Sequence, residues 1–242
     1  MIRIPFLDPM RPEEFPPVEQ ALRDPDGLLA AGGDLSPERL VAAYRRGIFP
    51  WYSEGQPILW WSPDPRTVYA PERMHVPRRL ARWLRACTWR VRADTAFASV
   101  MRACAAPRAG QRGTWIDEDM LAAYERLHAL GHAHSVEAWN GDALVGGIYG
   151  VAIGRVFFGE SMFSRADTGS KVALLALAHA LRGWGYPLLD AQVASPHLFT
   201  LGAREIARAE FCAAIETLTR ERGVEGSWSE IFPPVRPVDL AR

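Results

Sequence analysis

Glu160 stands inside FFGESMF, a run that otherwise reads as a hydrophobic strand. Side chains alternate along a strand, so Phe158, Glu160 and Met162 are expected on one face. A carboxylate between two apolar neighbours is either the wall of a pocket or part of a solvated face. Buried without a partner it would be costly. Asp190 and Gln192, in LLDAQV, are two residues apart and would share a strand face. An acid beside an amide can orient an amine and accept its hydrogen bonds. The plainer alternative has Asp190 ending the strand and Gln192 facing water.

Three further groups invite chemistry. Trp51, Trp60, Trp61 and Trp115 stand among Pro, Gly and polar residues rather than at helical core spacing. Such aromatics either stack on nucleobases or pack into the core. His128, His132 and His134 are spaced like metal ligands, but Gly131 breaks the helix between them and no Cys joins them, so no metal is expected. SRADTGSK precedes a helix start, where backbone amides can face a phosphate. It has Arg165 and Gly169 but lacks the second glycine of an acyl-CoA loop.

These residues need a scaffold to position them. Near the N-terminus, Ser36, Pro37 and Gly47 frame a helix with Leu40, Ala43 and Tyr44 on its apolar face. GIFPWYSEGQPILWWSPDPR holds four prolines and reads as loop and edge structure. A boundary is expected there, giving a small domain over 1–62 and a larger one over 63–242. Beyond it, WRVRA reads as a strand and DTAFASVMRACAA as a helix capped by Asp94. DEDMLAAYERLHALG is a helix with acids in its first turn. HSVEAWNGDALVGGIYGV is a hairpin about Asn-Gly-Asp, followed by the strand that holds Glu160. SKVALLALAHALRGWG is an apolar helix that crosses to the LLDAQV strand. A short helix at SPHLFTLG and a longer one at ARAEFCAAIETLTRER complete the series. The pattern is α+β with a mostly antiparallel sheet, the layout of a GNAT-like acyltransferase core.

Hydrophobic residues are 48% and charged residues 23% of the 242, as in soluble globular proteins. No run of 18 apolar residues suggests a membrane span. MIRIPFLDPMRPEEFPP has no signal-peptide core, and the three cysteines are widely spaced, so a reducing, cytoplasmic setting is expected. Net charge is zero but uneven: residues 71–115 hold 10 Arg against 2 acidic residues. Such a block is either the footprint of a polyanion or a solvated helix face. Arg78, Arg82 and Arg85 would lie along one face of a helix, as a phosphate grip would need.

Taken together, GLLAAGGDLSPERLVAAYRRGIFPWY, WWSPDPR, GTWI, LVGGIYG, FFGESMFSR, the SK that opens the apolar helix, and LLDAQV followed by LGA resemble the bacterial leucyl/phenylalanyl-tRNA–protein transferases. The likeness runs from about Phe15 to Ile206. It implies a small N-terminal α/β domain joined to a GNAT-like catalytic domain. It implies transfer of Leu or Phe, and Met less well, from aminoacyl-tRNA to the N-terminal α-amine of proteins that begin with Arg or Lys. That transfer marks them for degradation and uses no metal or acyl-CoA cofactor. By the same resemblance, Trp51 and Trp115 hold the terminal adenosine. Phe157, Met162, Leu174 and Leu189 line the aminoacyl pocket, with Ile148 where the family often has methionine. Asp190 and Gln192 form the catalytic pair, and Glu160 stands at the seam between the apolar pocket and the cationic acceptor. A monomer with no membrane partner is expected. Three rival readings remain open: transfer to cell-wall precursors, acetyl-CoA chemistry, and a tRNA-binding module without catalysis.

Overall fold

The computed structural model describes residues 4–106 and 116–241. The chain opens with β1 (Phe6–Leu7), β2 (Leu28–Gly32), α1 (Pro37–Tyr44), β3 (Phe49–Pro50) and β4 (Leu59–Trp61). The strands form a four-stranded sheet in the order β1-β2-β4-β3, parallel only between β1 and β2. Ser36 caps α1, its hydroxyl accepting from the Arg39 amide at 3.4 Å. Gly47, at φ +73°, turns the chain after the helix. β3, with its proline, is an edge strand as the sequence suggested. β4 is not, because it pairs on both sides. Trp60 anchors it there, fully buried, with Nε1 donating to the Gly32 carbonyl at 2.9 Å.

The remainder runs β5 (Arg66–Tyr69), α2 (Arg78–Ala86), β6 (Arg90–Ala93), α3 (Phe97–Ala105), α4 (Glu118–Ala129), β7 (Ala133–Asn140), β8 (Ala143–Ile153) and β9 (Val156–Ser164). Then follow α5 (Gly169–Gly183), β10 (Leu188–Gln192), α6 (Pro196–Phe199), β11 (Arg204–Ile206), α7 (Arg208–Leu218) and α8 (Trp228–Ile231). Seven strands pair in the order β11-β5-β10-β9-β8-β7-β6. Only β9 and β10 are parallel, joined through α5; the other pairs are antiparallel. The fold is therefore α+β, with mixed, mostly antiparallel sheets. β5 and β11 escaped the sequence reading because four and three residues are too short to show a period. Among the described residues, no helix is long and apolar enough to cross a membrane.

One helix start needs correction. Asp94 does not cap α3, which begins at Phe97 behind Ala96. Asp94 sits at φ +54° and gives its carboxylate to the Ser135 amide at 2.8 Å and to His134 Nδ1 at 2.7 Å. Tertiary partners on β7 outcompeted the local cap.

The large sheet is covered on both faces. On one lies α5, with Val172, Ala173, Leu174 and Leu177 buried among residues of α2, β8, β9 and the C-terminal segment. On the other lie α3, α4 and α7, in a core that also takes Leu29, Tyr44 and Trp60 from the first part of the chain. The small sheet ends at Trp61 and the large one begins at Arg66, yet both feed this one core.

The start of α5 rides directly on β8. A Cβ on Gly146 would lie 2.2 Å from the Gly169 carbonyl carbon, and one on Gly169 would lie 2.4 Å from the Val145 oxygen. Gly146→Ala is therefore expected to cost about 1–3 kcal/mol of stability through overpacking. Urea denaturation followed by tryptophan fluorescence measures it. An unchanged midpoint would show that helix and strand part there without cost.

Candidate active site

Arg66 opens β5 and is 1% exposed. Its Nε and Nη2 donate to Asp190 Oδ1 and Oδ2 at 2.8 and 2.6 Å, the fork-to-fork geometry that guanidinium and carboxylate favour. Nη1 donates to the Gly47 carbonyl at 3.0 Å. The guanidinium carbon also lies 4.8 Å from the Phe49 ring centre and 4.6 Å from that of Phe211. The bridge thus joins β5 to β10 and reaches back to the turn after α1.

Asp190, fully buried, does a second job. Its Oδ1 accepts the Gln192 backbone N–H at 2.9 Å. The pairing of β10 with β5 slips between Asp190 and Gln192, and Gln192 takes a left-handed φ of +60°. Such a backbone is uncommon for a residue other than glycine. Simple alternation therefore does not describe the pair: the carboxylate holds the main chain that turns the amide. The Gln192 Nε2 donates instead to Glu160 Oε1, at 2.7 Å. Asp190 does not touch that amide; Glu160 does.

Glu160 reaches it through a β-bulge. On β8 and β9, Gly150 faces Gly159 while Tyr149 faces Ser161, so Glu160 is an extra residue in the ladder. The extra residue reverses the phase of the strand. Phe158 packs into the core shared with the small sheet, whereas Met162 packs on the α5 side. The expectation that Phe158, Glu160 and Met162 share a face is overturned for this reason. Glu160 Oε2 accepts from Tyr124 Oη at 3.0 Å, and the hydroxyls of Tyr124 and Tyr44 are hydrogen-bonded to each other. Burial pushes the Glu160 carboxyl up to about 7, and the nearby Asp190 charge adds to this. The tyrosine hydroxyls and the Gln192 amide pull the other way.

The apolar residues expected to bind the transferred side chain come together. Ile148, Phe157, Leu174 and Leu189 are buried in one cluster, and Met162 packs against it, partly exposed. Register explains the grouping: Ile148 faces Met162 across β8 and β9, and Leu189 faces Phe157 across β10 and β9. Trp51 is 44% exposed and tilts against Trp61, whose Nε1 donates to the Trp51 carbonyl at 2.6 Å. Trp115 lies outside the described residues. Arg78, Arg82 and Arg85 are exposed on α2, while Leu80, Ala81 and Leu84 of that helix are buried.

Asp94, His128 and His134 bring potential ligand atoms within 4.8 Å of one another. Protein acceptors already face the ring nitrogens: Asp94 and the Gly131 carbonyl for His134, and the Ala133 carbonyl for His128. His134 stacks on Trp228 and His128 on Phe97, which makes the group a structural tie between α4, β7 and the turn before α3. A groove of about 1760 Å³ passes Arg45, His132 and Arg220 and takes in none of Glu160, Asp190 and Gln192. The polar network of Arg66, Asp190, Gln192 and Glu160 therefore stands apart from this groove.

Sequence comparison decides the family. The profile described as leucyl/phenylalanyl-tRNA protein transferase matches residues 68–216, and that of the N-terminal domain of the same proteins matches residues 33–64. The chain belongs to this transferase family. It is accordingly an aminoacyltransferase. The leucyl/phenylalanyl-tRNA–protein transferase of Xanthomonas euvesicatoria pv. vesicatoria is 62% identical over 216 residues, 89% of this chain and 86% of the relative. That of Cellvibrio japonicus is 56% identical over 234 residues, 96% and 99% of the two chains. Among solved structures, L-PGS from Bacillus licheniformis aligns with 69% of this chain and 53% of its own at a TM-score of 0.38 and 8% identity.

Arg66, Tyr44 and Tyr124 were missed as site residues. Arg66 lies in a short strand after two prolines, and its partner is 124 positions away. The tyrosines sit on helix faces that read as core. Their signal was the hydroxyl itself, since a buried tyrosine oxygen needs a partner.

Removing one half of a buried ion pair leaves the other charge uncompensated. Arg66→Met is expected to cost about 3–5 kcal/mol, and adding Asp190→Leu to recover most of that loss. A double-mutant cycle in urea measures both. Additive losses would show that the two residues are not coupled.

Proposed function

We propose that this chain transfers Leu or Phe, and Met less well, from aminoacyl-tRNA to the N-terminal α-amine of proteins beginning with Arg or Lys. The observation that carries the mechanism is the Gln192 amide. Its NH2 group is committed to Glu160, and its oxygen accepts no hydrogen bond among the described residues. That oxygen can take an N–H hydrogen bond from the attacking amine and aim the nitrogen lone pair at the ester carbonyl.

The aminoacyl ester is already activated, so no enzyme nucleophile is required. The neutral amine attacks the carbonyl carbon and the C–N bond forms. The C–O bond to the ribose breaks, and the proton lost by the amine ends on the departing ribose oxygen. Orientation is the main contribution asked of the protein, and it can lower a barrier by up to about 7–11 kcal/mol. Asp190 holds the main chain at Gln192, and Glu160 holds its amide. Arg66 balances the charge of Asp190. Glu160, the remaining carboxylate, supplies the negative potential that suits a cationic acceptor.

Ile148, Phe157, Met162, Leu174 and Leu189 receive the transferred side chain in this reading. Trp51 and Trp115 receive the terminal adenosine, and Arg78, Arg82 and Arg85 grip tRNA phosphates. The large sheet, with its parallel β9 and β10 joined through α5, serves as a GNAT-like catalytic core over 63–242 behind a small domain over 1–62. No metal or cofactor takes part. The enzyme acts as a monomer in the cytoplasm, where the transfer marks its targets for degradation.

Incubation with Leu-tRNA and a peptide beginning with Arg, read by mass, should show the gain of one leucyl residue. Gain only on a cell-wall precursor would overturn the acceptor assignment. Asp190→Asn keeps an oxygen for the Gln192 backbone N–H but removes the charge that pairs with Arg66. It should lower turnover about 100-fold with little change in tRNA affinity. Turnover near wild type would remove Asp190 from the machinery. Changing Arg78, Arg82 and Arg85 together to Gln should flatten the slope of log affinity against log salt by about two units. Use of a minimal aminoacyl-adenosine donor should be unaffected. An unchanged slope would place the phosphate grip elsewhere.

A further inference from the structure

Three fully buried tyrosines from three elements surround one carboxylate: Tyr44 of α1, Tyr124 of α4 and Tyr149 of β8. Tyr124 donates to Glu160 Oε2 at 3.0 Å. That bond uses the only proton Tyr124 has, so the bond between the two hydroxyls is donated by Tyr44. The chain runs one way, Tyr44 to Tyr124 to Glu160. Tyr149 Oη makes no hydrogen bond.

The direction of this chain matters for Gln192. An ionised Glu160 only accepts, taking Tyr124 on one oxygen and the Gln192 amide on the other. If Oε2 gained a proton, that proton would be offered to Tyr124 and the tyrosine chain would have to reverse. A proton on Oε1 would meet the Gln192 NH2 group. Relief then comes from turning the amide over, which presents NH2 in place of the oxygen. An amine needing an acceptor would meet donors instead.

We propose that Tyr124, backed by Tyr44, is a positioning residue that keeps Glu160 a pure acceptor and so holds the Gln192 amide oxygen toward the attacking amine. The kinetic side of this inference rests on the function proposed above; the protonation side does not. Among the described residues, the charged and titratable groups that face Glu160 bear on it. Asp190 raises its pKa, with the Asp190 charge itself balanced by Arg66, while Tyr44 and Tyr124 lower it. Cys104 stands beside Tyr149 on the same side of the sheet. Burial, and then the Glu160 charge, push the three tyrosines well above their usual range, so they stay protonated.

The test is an NMR titration of protein labelled with ¹³C at the glutamate carboxyl, with the Glu160 signal assigned by its loss in Glu160→Gln. In the wild type the midpoint should lie near 7. Tyr124→Phe removes a donor to the ionised form, so the midpoint should rise by about one unit. Tyr44→Phe removes the other hydroxyl that lowers the Glu160 pKa and should raise the midpoint at least as much, and it decides the question alone if Tyr124→Phe does not fold. In transfer from aminoacyl-adenosine to an arginyl peptide, Tyr124→Phe should lower kcat about fivefold at pH 7 and recover above its new midpoint. KM for the donor should stay unchanged. The acceptor amine also loses its proton as pH rises, but this is common to both enzymes and cancels in their ratio. A midpoint that does not move, or a ratio of rates constant with pH, overturns the proposal. A wild type that transfers nothing overturns the proposed function instead, and the titration still judges the tyrosine chain.

Discussion

Everything at the candidate site depends on one buried ion pair. Arg66 and Asp190 have almost no contact with water, so neither charge is tolerable without the other. The pair fixes β5 against β10, fixes the main chain at Gln192, and reaches to the Gly47 carbonyl. Phe49 and Phe211 close over the guanidinium and shut out solvent. With Arg66 spent on Asp190, no cation among the described residues pairs with Glu160. Burial, with the nearby Asp190 charge, pushes its carboxyl up to about 7, and neutral donors offset only part of that.

The second constraint is one of phase. A strand without irregularity would put Glu160 in line with Phe158 and Met162. The bulge instead lets Phe158 stay in one core and Met162 in the other, with a carboxylate inserted at the change. An apolar cluster and a polar network thus stand on neighbouring residues of one strand without either disrupting the other. Gln192 meets a similar need on β10 by a left-handed turn.

Much of this was legible in the sequence. The hairpin about Gly141 and the apolar helix α5 carry strong local signals, and the structure has both where they were expected. That helix implied a parallel or splayed return for the LLDAQV strand, and the structure makes it parallel. Glu160, Asp190 and Gln192 stood out as polar residues in apolar runs, and the structure links them through hydrogen bonds. How they are linked was not legible. A bulge adds one residue to a ladder whose partner lies on another strand, and no period in FFGESMF reveals it. Arg66 gave no local sign, because its meaning comes from a residue far along the chain. Asp94 looked like a cap because local rules know nothing of His134 and Ser135.

The common core also changes what the first part of the chain is. Tyr44, Gly47 and Phe49 all precede the large sheet, yet one hydroxyl, one carbonyl and one ring from them complete the surroundings of Glu160 and Arg66. The small sheet is therefore not an appendage that a catalytic unit could shed. A chain whose opening fifty residues have yet to dock holds Glu160, Asp190 and Gln192 but lacks the hydroxyl, the carbonyl and the ring that surround them and Arg66 in the folded protein.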